Sequence, residues 1–445
     1  MAANQSGPSH DALQADRTPV TPYAVFTLAL CAFVGAAEGY DVQAMALAAP
    51  LVKQAWALGF PQIGTLLSIS AIGLVLGSFL LSPVGDSLGR RPAILLGLLI
   101  AGAGTGSGAL APDFGWLAVT RLIAGIGLGL ALPNVLAIAM ELMPRRFHTL
   151  AIVIVSCGYP LGSAAGAAFA SALVPSFGHA AVFTVGGSGT ALALILCALF
   201  LPESPAFLAR RADRSGELSR LLARLGRGIP AQALQQKVEK IEGTGARIAA
   251  LFAPERRRLT TFLWLMNLGN VALVYFFFTW LPSLIVASGL PANVALRATS
   301  LFSASGAVGA LIMAGLSPRI GPVRVLVIAY VLAIGATVAL SSGVGSGTAF
   351  YFALVVAGLA TVGSQFCLSA VTAQAYPSAI RATASGFASG IGRGGAILVP
   401  IAAGALVALL NGSDRSFLIA LVPAAIALAA AAALEMSGDL RRAKS

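Results

Sequence analysis

Apolar stretches of membrane-spanning length, separated by short turns rich in Pro, Gly or charged residues, repeat along the whole chain. Each stretch is long enough to cross the ~30 Å hydrocarbon core of a bilayer as a helix. The twelve stretches lie at 22–49, 60–82, 92–111, 115–142, 148–174, 180–201, 259–287, 296–317, 322–341, 347–375, 382–410 and 416–435. One long polar interruption separates the sixth from the seventh. The pattern predicts an all-α integral membrane protein with twelve transmembrane helices in two six-helix bundles.

Composition agrees with a helical membrane protein. The chain has 445 residues, of which 58% are hydrophobic and 10% charged, and its mean hydropathy is +0.88. Strand-like alternation is missing from the apolar stretches, so a barrel is not expected. The polar start lacks the features of a signal peptide, and the first helix should be retained. The four cysteines lie in apolar segments without metal-ligand spacing, so we expect neither disulfides nor a metal site, and no cofactor is expected.

Basic residues mark one side of the predicted membrane protein. Nearly all arginines that flank the apolar stretches fall on the side shared by both ends of the chain and the polar interruption, whereas Lys53, Arg297 and Arg415 fall on the other side. The positive-inside rule therefore predicts cytoplasmic termini. The predicted parts are a tail at 1–21, a first bundle at 22–202, a cytoplasmic basic loop at 203–258, a second bundle at 259–436 and a tail at 437–445. The net charge of +12 is then a topology signal, and no nucleic-acid partner is expected.

Two carboxylates, Glu38 and Asp41, interrupt the first apolar stretch. Ionisable groups inside a spanning helix are costly and usually face a polar pathway or have a partner. Their spacing of three residues places them on one helix face. Arg121 in the fourth stretch lies at a similar depth, so it can pair with Asp41. We predict that these three residues couple protons to transport, while a static ion pair and two solvated acids at the membrane surface are the simpler alternatives.

Arg393 lies near the predicted midplane of the eleventh helix. No acid occurs elsewhere in helices seven to eleven, so the carboxylate of a substrate is a natural partner for this guanidinium. Hydrogen bonds from Arg393 to backbone carbonyls exposed by neighbouring glycines are the alternative. Gln365, Tyr275 and Trp280 are further candidates for binding an aromatic ring, although each aromatic residue can equally well be packing.

The turn Gly85–Arg91 resembles the signature of the major facilitator superfamily between its second and third helices. Similar Pro-plus-base segments occur at 143–151 and 376–384, which suggests that the two halves arose by duplication. The resemblance implies the major facilitator fold and a gate at the cytoplasmic ends of the helices. The gate residues expected from the turn and from residues at the same level are Asp86, Arg90, Arg91, Glu141 and Arg145. A purely topogenic role for the arginines is the alternative.

A narrower resemblance is to the aromatic acid:proton symporters. It rests on Glu38–Asp41, Ala131–Asn134, Trp280–Pro282 and above all Tyr376–Ala396, and it extends from about residue 22 to 435. Glu38, where many members have Asp, is more similar to carriers of 3-(3-hydroxyphenyl)propionate. The resemblance implies a bacterial inner-membrane location and inward transport of an aromatic carboxylate with protons.

The sequence thus predicts a proton-coupled secondary transporter that imports an aromatic carboxylate, such as hydroxyphenylpropionate or hydroxybenzoate, by alternating access. A carrier of another organic anion or of a sugar, or a proton-driven efflux antiporter, remains the alternative. An enzyme is not expected, because none of the three histidines has metal-ligand spacing and no nucleophile elbow or cofactor loop is present. The expected partners are the substrate, protons and the lipid bilayer, and a monomer is expected.

Overall fold

The computed structural model of the chain describes residues 19–81, 84–226, 250–254, 256–343, 347–376 and 378–437. The side chains of Asp86 and Arg145, two of the predicted gate residues, lie outside the described set. The described residues form α-helices joined by tight turns and a few 3-10 segments.

Twelve helices correspond to the twelve predicted stretches. They are α1 Pro22–Ala55, α2 Phe60–Leu80, α3 Arg90–Gly108, α4 Phe114–Leu142, α5 148–177, α6 179–200, α7 Arg257–Ala287, α8 Ala292–Ile320, α9 Pro322–Ser341, α10 Thr348–Gln374, α11 Ser378–Leu409 and α12 Leu421–Ser437. Gly178, with φ 57° and ψ −143°, breaks the continuous stretch His148–Phe200 into α5 and α6. Shorter helices are Val84–Leu88, Pro205–Ala209 and Ser215–Arg224.

Ten helical stretches of the described chain are long and apolar enough to cross a membrane, with α5 and α6 counted as one. The helix that is not among them is α3, whose first turn contains two arginines. Because α3 packs along α4 and α6 over its length, we treat it as part of the same membrane bundle. The chain is therefore a multi-pass membrane protein.

The first helix is longer than its apolar pattern predicts. The predicted end at residue 49 is wrong, because α1 continues through Pro50 to Ala55. A proline inside a helix removes one backbone hydrogen bond but does not prevent the helix from continuing when tertiary packing holds it. Here Lys53, in the last turn, lies over the ring of Phe60 at 4.4 Å. Asp41 is therefore further from the end of its helix than an end at residue 49 implies.

The same helix pairs meet in both halves of the chain. In the first half α1 packs on α5, α2 on α4, α3 on α4 and α3 on α6; in the second half α7 packs on α11, α8 on α10, α9 on α10 and α9 on α12. The halves meet through α1 with α7, α2 with α11 and α5 with α8. Exchanging the halves maps these contacts onto one another, which is the packing expected of two structural repeats.

Glycines bring α1 and α5 into backbone contact. A methyl group at Gly162 would overlap the backbone of Ala36, and one at Gly158 would overlap the carbonyl oxygen of Ala32. From the other side, a methyl group at Gly39 would overlap the backbone of Tyr159. This close packing at the glycines of α5 places Tyr159 beside the turn that carries Glu38 and Asp41.

The two halves are joined mainly towards one side of the bundle. We call the side with the start of α1 and the short helices of residues 205–224 the loop side, and the opposite side the far side. Besides the hydrogen bond from Arg393 to Ser78, four hydrogen bonds between described residues cross from half to half, between the far ends and the middle of the helices. They are Gln43 Nε2 to the Phe278 carbonyl oxygen at 2.6 Å, Ser68 Oγ to that of Ile397 at 2.7 Å, Ser300 Oγ to that of Ala164 at 2.8 Å, and Ser163 Oγ with Ser303 Oγ at 3.0 Å. These contacts close the far side.

Candidate functional site

A buried ion pair lies inside the first half. Arg121 Nη1 of α4 is 3.5 Å from Asp41 Oδ1 of α1, and both side chains are fully buried. Thr105 of α3 donates a hydrogen bond to the same carboxylate oxygen. The ring of Phe183 lies 5.1 Å from the guanidinium carbon of Arg121. The contact predicted between Asp41 and Arg121 is therefore present, and three helices and an aromatic ring surround it.

The pair leaves part of its hydrogen-bonding capacity unused. Asp41 Oδ2 and the Nε and Nη2 groups of Arg121 are buried without a hydrogen-bond partner among the described residues. Burying such groups is costly, and removing one partner of a buried ion pair typically costs ~3–5 kcal/mol. The arrangement joins α1, α3 and α4.

Glu38 connects the ion pair to the middle of the protein. Its side chain is buried, with 5% exposure. Its carboxylate interacts electrostatically with Asp41 in the first half and with Arg393 in the second. The phenol groups of Tyr159 and Tyr275 are also within electrostatic range of Glu38. Charged and aromatic groups of both halves thus meet at the level of Glu38.

Arg393 of α11 is half-buried and reaches across to the first half. Its Nη1 donates a 3.1 Å hydrogen bond to Ser78 Oγ of α2. Among the described residues, Arg393 makes none of the hydrogen bonds to backbone carbonyls that were considered as an alternative. Its acceptor is the Ser78 hydroxyl group. No described residue hydrogen-bonds to Nε or Nη2, which together form the planar edge that binds a carboxylate with two parallel bonds.

The three other predicted substrate-binding residues lie in different surroundings. Tyr275 of α7 is half-buried and within electrostatic range of Glu38 and Arg393. Gln365 of α10 accepts a 2.7 Å hydrogen bond through Oε1 from Asn270 Nδ2 of α7, and its amide NH₂ group makes no hydrogen bond to a described residue. Trp280 is fully buried and donates through Nε1 to the carbonyl oxygen of Pro400 at 3.3 Å. In this conformation Trp280 packs at the far side.

Three of the predicted gate residues form a cluster on the loop side of the first half. Arg90 Nη2 at the start of α3 is 2.8 Å from Glu141 Oε1 at the end of α4, and Arg91 Nη2 donates to the Ala198 carbonyl oxygen near the end of α6. Ser204 donates a hydrogen bond to Glu141. These contacts tie α3, α4 and α6 together. The side chains of the other two predicted gate residues, Asp86 and Arg145, lie outside the described set.

Glu203 belongs to this cluster although it was not predicted as a gate residue. Its Oε1 accepts backbone hydrogen bonds from Arg90 at 2.9 Å, Arg91 at 3.2 Å and Ser204 at 2.7 Å. It thereby satisfies N–H groups at the start of α3 that a helix leaves unpaired. An acid followed by Ser-Pro directly after a predicted helix was the signal in the sequence.

Thr105, Ser78 and Tyr159 were also missed by sequence reasoning. Small hydroxyl residues are common in membrane helices as packing groups, so Thr105 and Ser78 carry no distinguishing pattern. Only the neighbouring helices show that one faces Asp41 and the other Arg393.

Comparison with known proteins agrees with this architecture. The sequence profile of the family described as Major Facilitator Superfamily matches residues 30–400. The gallate transporter of Pseudomonas putida is 33% identical over 430 residues, which are 96% of this chain and 94% of that protein. The 3-(3-hydroxy-phenyl)propionate transporter of Escherichia coli (strain K12) is 31% identical over 391 residues, which are 87% of this chain and 88% of that protein.

Solved structures of low sequence identity share the fold. The inward open conformation of the xylose transporter XylE from E. coli has a TM-score of 0.72 at 15% identity and covers 93% of this chain and 95% of that chain. A bacterial homolog to the human lysosomal transporter Spinster, in an inward-facing and occupied conformation, has a TM-score of 0.72 at 16% identity and covers 96% of this chain and 98% of that chain.

Proposed function

This chain belongs to the major facilitator superfamily, and we propose that it imports an aromatic carboxylate, of the hydroxyphenylpropionate or hydroxybenzoate type, together with protons. Membership of this superfamily makes it a carrier and not an enzyme. Transport would occur by alternating access, in which the two halves rock around a site near the middle of the bilayer.

The free edge of Arg393 is the observation that carries this proposal. A half-buried guanidinium in the middle of a spanning helix is expensive unless an anion accompanies it. With Nη1 occupied by Ser78, the Nε and Nη2 groups remain available for a carboxylate. Tyr275 lies within electrostatic range of the same arginine and offers an aromatic face to a ring. Gln365, whose NH₂ group has no hydrogen-bond partner among the described residues, would donate to an oxygen of the substrate.

The relatives narrow the class of substrate. Two carriers more than 30% identical to this chain are named for gallate and for 3-(3-hydroxy-phenyl)propionate, and both names are those of hydroxylated aromatic acids. We assign the same class of substrate to this chain, because the charge and aromatic groups around Arg393 suit a carboxylate attached to an aromatic ring.

Proton coupling is assigned to Glu38, Asp41 and Arg121. Glu38 is a carboxylate that interacts electrostatically with Arg393. One guanidinium cannot neutralise two carboxylates, so a substrate anion arriving at Arg393 favours uptake of a proton by the neighbouring acids. Asp41, with one free carboxylate oxygen next to Arg121, is placed to take or pass on that proton.

The loop side is proposed to face the cytoplasm of a bacterium, in the inner membrane, in accordance with the basic residues on that side. The far side would then be closed to the outside in this conformation. The cluster of Arg90, Arg91, Glu141 and Glu203 would hold the cytoplasmic ends of α3, α4 and α6 together as the first bundle moves. The predicted bundle boundaries, at 22–202 and 259–436, are retained as part of this proposal.

Reconstituted vesicles test the proposed function. Purified protein in vesicles with an acidic exterior is expected to accumulate radiolabelled 3-(3-hydroxyphenyl)propionate, 4-hydroxybenzoate or gallate, and a protonophore should abolish the accumulation. Xylose serves as a neutral control and should not accumulate. Accumulation of xylose, or accumulation of an aromatic acid that is insensitive to the protonophore, would contradict the proposal.

Gln43→Ala is expected to open the far side. Pro282 has no N–H, so the Phe278 carbonyl four residues earlier loses its partner within α7, and Gln43 supplies the replacement across the two halves. Leaving this buried acceptor unpaired costs ~1–3 kcal/mol, which favours separated halves by roughly 5- to 150-fold. The rate of maleimide labelling at Ile63→Cys, a buried far-side position, should rise in detergent by a comparable factor in a background without the four native cysteines.

Gln54→Ala is the matched control for this experiment, since Gln54 lies on the same helix with an exposed side chain. It should leave the labelling rate unchanged. Equal labelling rates in the Gln43→Ala variant and the parent would show that this hydrogen bond does not hold the far side closed.

A further inference from the structure

A three-member hydrogen-bond chain runs from the second half into the backbone of the first half. Arg393 Nη1 of α11 donates to Ser78 Oγ of α2, and Ser78 Oγ donates to the Gly129 carbonyl oxygen of α4 at 3.2 Å. An arginine can only donate, and a carbonyl oxygen can only accept. The direction of both bonds is therefore fixed, and the Ser78 hydroxyl donates its one hydrogen to Gly129 while it accepts the bond from Arg393.

The last acceptor of this hydrogen-bond chain, the Gly129 carbonyl oxygen, is available because of a proline. Gly129 lies four residues before Pro133 in α4, and Pro133 has no N–H to complete the usual helical bond. A carbonyl left free in this way inside a membrane protein must find another donor. Ser78 provides it from the neighbouring helix.

The position of Ser78 is fixed by its backbone. At Gly129 an added methyl group would come within 2.7 Å of the Ser78 backbone nitrogen, and at Gly77 it would overlap the carbonyl oxygen of Ile126. The two helices are thus in backbone contact at Gly77 and Ser78, next to the hydroxyl. Ser78 is a rigidly held acceptor, whereas the side chain of Arg393 has many rotamers.

We propose that Ser78, held by the Gly129 carbonyl that Pro133 leaves free, is a positioning residue that presets Arg393 for the substrate carboxylate. The inference rests on the proposed function, in which Arg393 binds that carboxylate. Ser78 takes Nη1 and leaves the Nε–Nη2 edge in place for two parallel hydrogen bonds. Because Ser78 belongs to the first half and Arg393 to the second, the complete anion site exists only while α2 and α11 are in contact.

The consequence is that carboxylate affinity depends on contact between the halves. When α2 and α11 separate at this level, Arg393 loses its fixed orientation and the site loses part of its affinity for the anion. Binding of the carboxylate therefore favours the conformation in which the two helices are together.

Ser78→Ala tests the inference with purified protein in detergent. The native protein is first titrated with 3-(3-hydroxyphenyl)propionate, 4-hydroxybenzoate and gallate, each beside its primary amide. For the acid that binds, Ser78→Ala should weaken affinity roughly two- to tenfold, since an ordering cost of one long side chain returns at binding. Affinity for the amide should not change, and Ser78→Thr, which keeps a hydroxyl, should restore most of the acid affinity.

Two comparisons separate positioning from packing. Ser68→Ala removes another hydroxyl that crosses from α2 to α11 but contacts only the Ile397 carbonyl oxygen, and it should leave the preference for acid over amide unchanged. Arg393→Ala should remove the effect of Ser78→Ala, so the double variant should bind the acid no more weakly than Arg393→Ala alone. A loss of acid affinity from Ser78→Ala that persists in the Arg393→Ala background would overturn the inference.

Failure of the proposed function gives a different result. If none of the three acids binds, or if Arg393→Ala weakens acid and amide equally, the carboxylate site at Arg393 is wrong and this inference falls with it. If Arg393→Ala selectively loses the acid but Ser78→Ala binds acid and amide as the native protein does, the carboxylate site stands and only the role of Ser78 is refuted.

Discussion

Arg393→Ala is expected to lower the affinity for the aromatic acid substrate by roughly thirtyfold to several thousandfold. Truncating one partner of a buried, hydrogen-bonded charge pair typically costs ~2–5 kcal/mol, and every ~1.4 kcal/mol is a factor of ten. Arg393→Lys keeps the charge but loses the planar edge formed by Nε and Nη2, so its affinity should fall between those of the native protein and Arg393→Ala. Isothermal titration of purified protein measures each affinity.

The amide analogue of the substrate identifies the group that Arg393 binds. The native protein should bind the amide more weakly than the acid by a factor similar to the loss in Arg393→Ala, and the variant should bind the two alike. Arg297→Ala is the matched control, since Arg297 is an exposed arginine of the second half, and it should bind the acid as the native protein does. A proportional loss of acid and amide in Arg393→Ala would assign the carboxylate to another cation, with Arg121 the next candidate.

Arg393→Ala also removes the positive charge that interacts with the Glu38 carboxylate. A buried carboxylate in that position is destabilising, and the single variant can lose stability for this reason. Arg393→Ala with Glu38→Gln removes both charges together. The double variant should melt closer to the native protein, and it should still bind acid and amide alike.

Asp41→Asn is expected to abolish proton-driven accumulation while preserving exchange of substrate across the membrane. The amide of Asn cannot take up a proton near neutral pH, so a cycle that requires protonation of Asp41 stops at the step in which the empty carrier returns. Exchange does not require that step, because the carrier returns with substrate bound. Vesicle assays with an imposed pH gradient, and with labelled substrate exchanged against unlabelled substrate, measure the two activities.

Two further variants are the controls for Asp41→Asn. Asp41→Asn leaves Arg121 buried without a negative partner, which costs ~3–5 kcal/mol, so Asp41→Asn with Arg121→Gln provides a second variant without a buried charge. Asp113→Asn, at the exposed start of α4, keeps a residue that can accept a hydrogen bond from Trp116 N–H and should transport normally. Accumulation by Asp41→Asn at the native level would eliminate Asp41 as the proton-carrying group.

The sequence alone determined the helical architecture of this protein. A segment that crosses a bilayer must satisfy its backbone hydrogen bonds within itself, so an apolar stretch of about twenty residues specifies a helix without reference to its neighbours. All twelve predicted segments have a helix in the structure, although α1 runs past Pro50 to Ala55 because packing maintained the helix beyond the apolar pattern. Membership of the superfamily was also predicted, from the turn Gly85–Arg91.

Charges inside apolar segments were equally visible in the sequence. Asp41 and Arg121 were predicted to pair, and they do, because each is a rare and costly group at a matching level of the bundle. Arg393 was identified in the same way. Glu38, an acid that interacts electrostatically with Arg393, belongs to the first half of the chain. The search for acids in helices seven to eleven therefore did not include it.

Only the tertiary structure decided which neutral groups complete the site. Helices of this protein are apolar on almost every face, so their sequence patterns do not show how each helix is rotated about its axis or which neighbour it meets. Thr105 beside Asp41 and Ser78 beside Arg393 follow from those rotations. The sequence also shows that Pro133 and Pro282 each free a carbonyl, but the donors that reach them, Ser78 and Gln43, lie on helices distant in sequence, and only packing brings them within hydrogen-bonding distance.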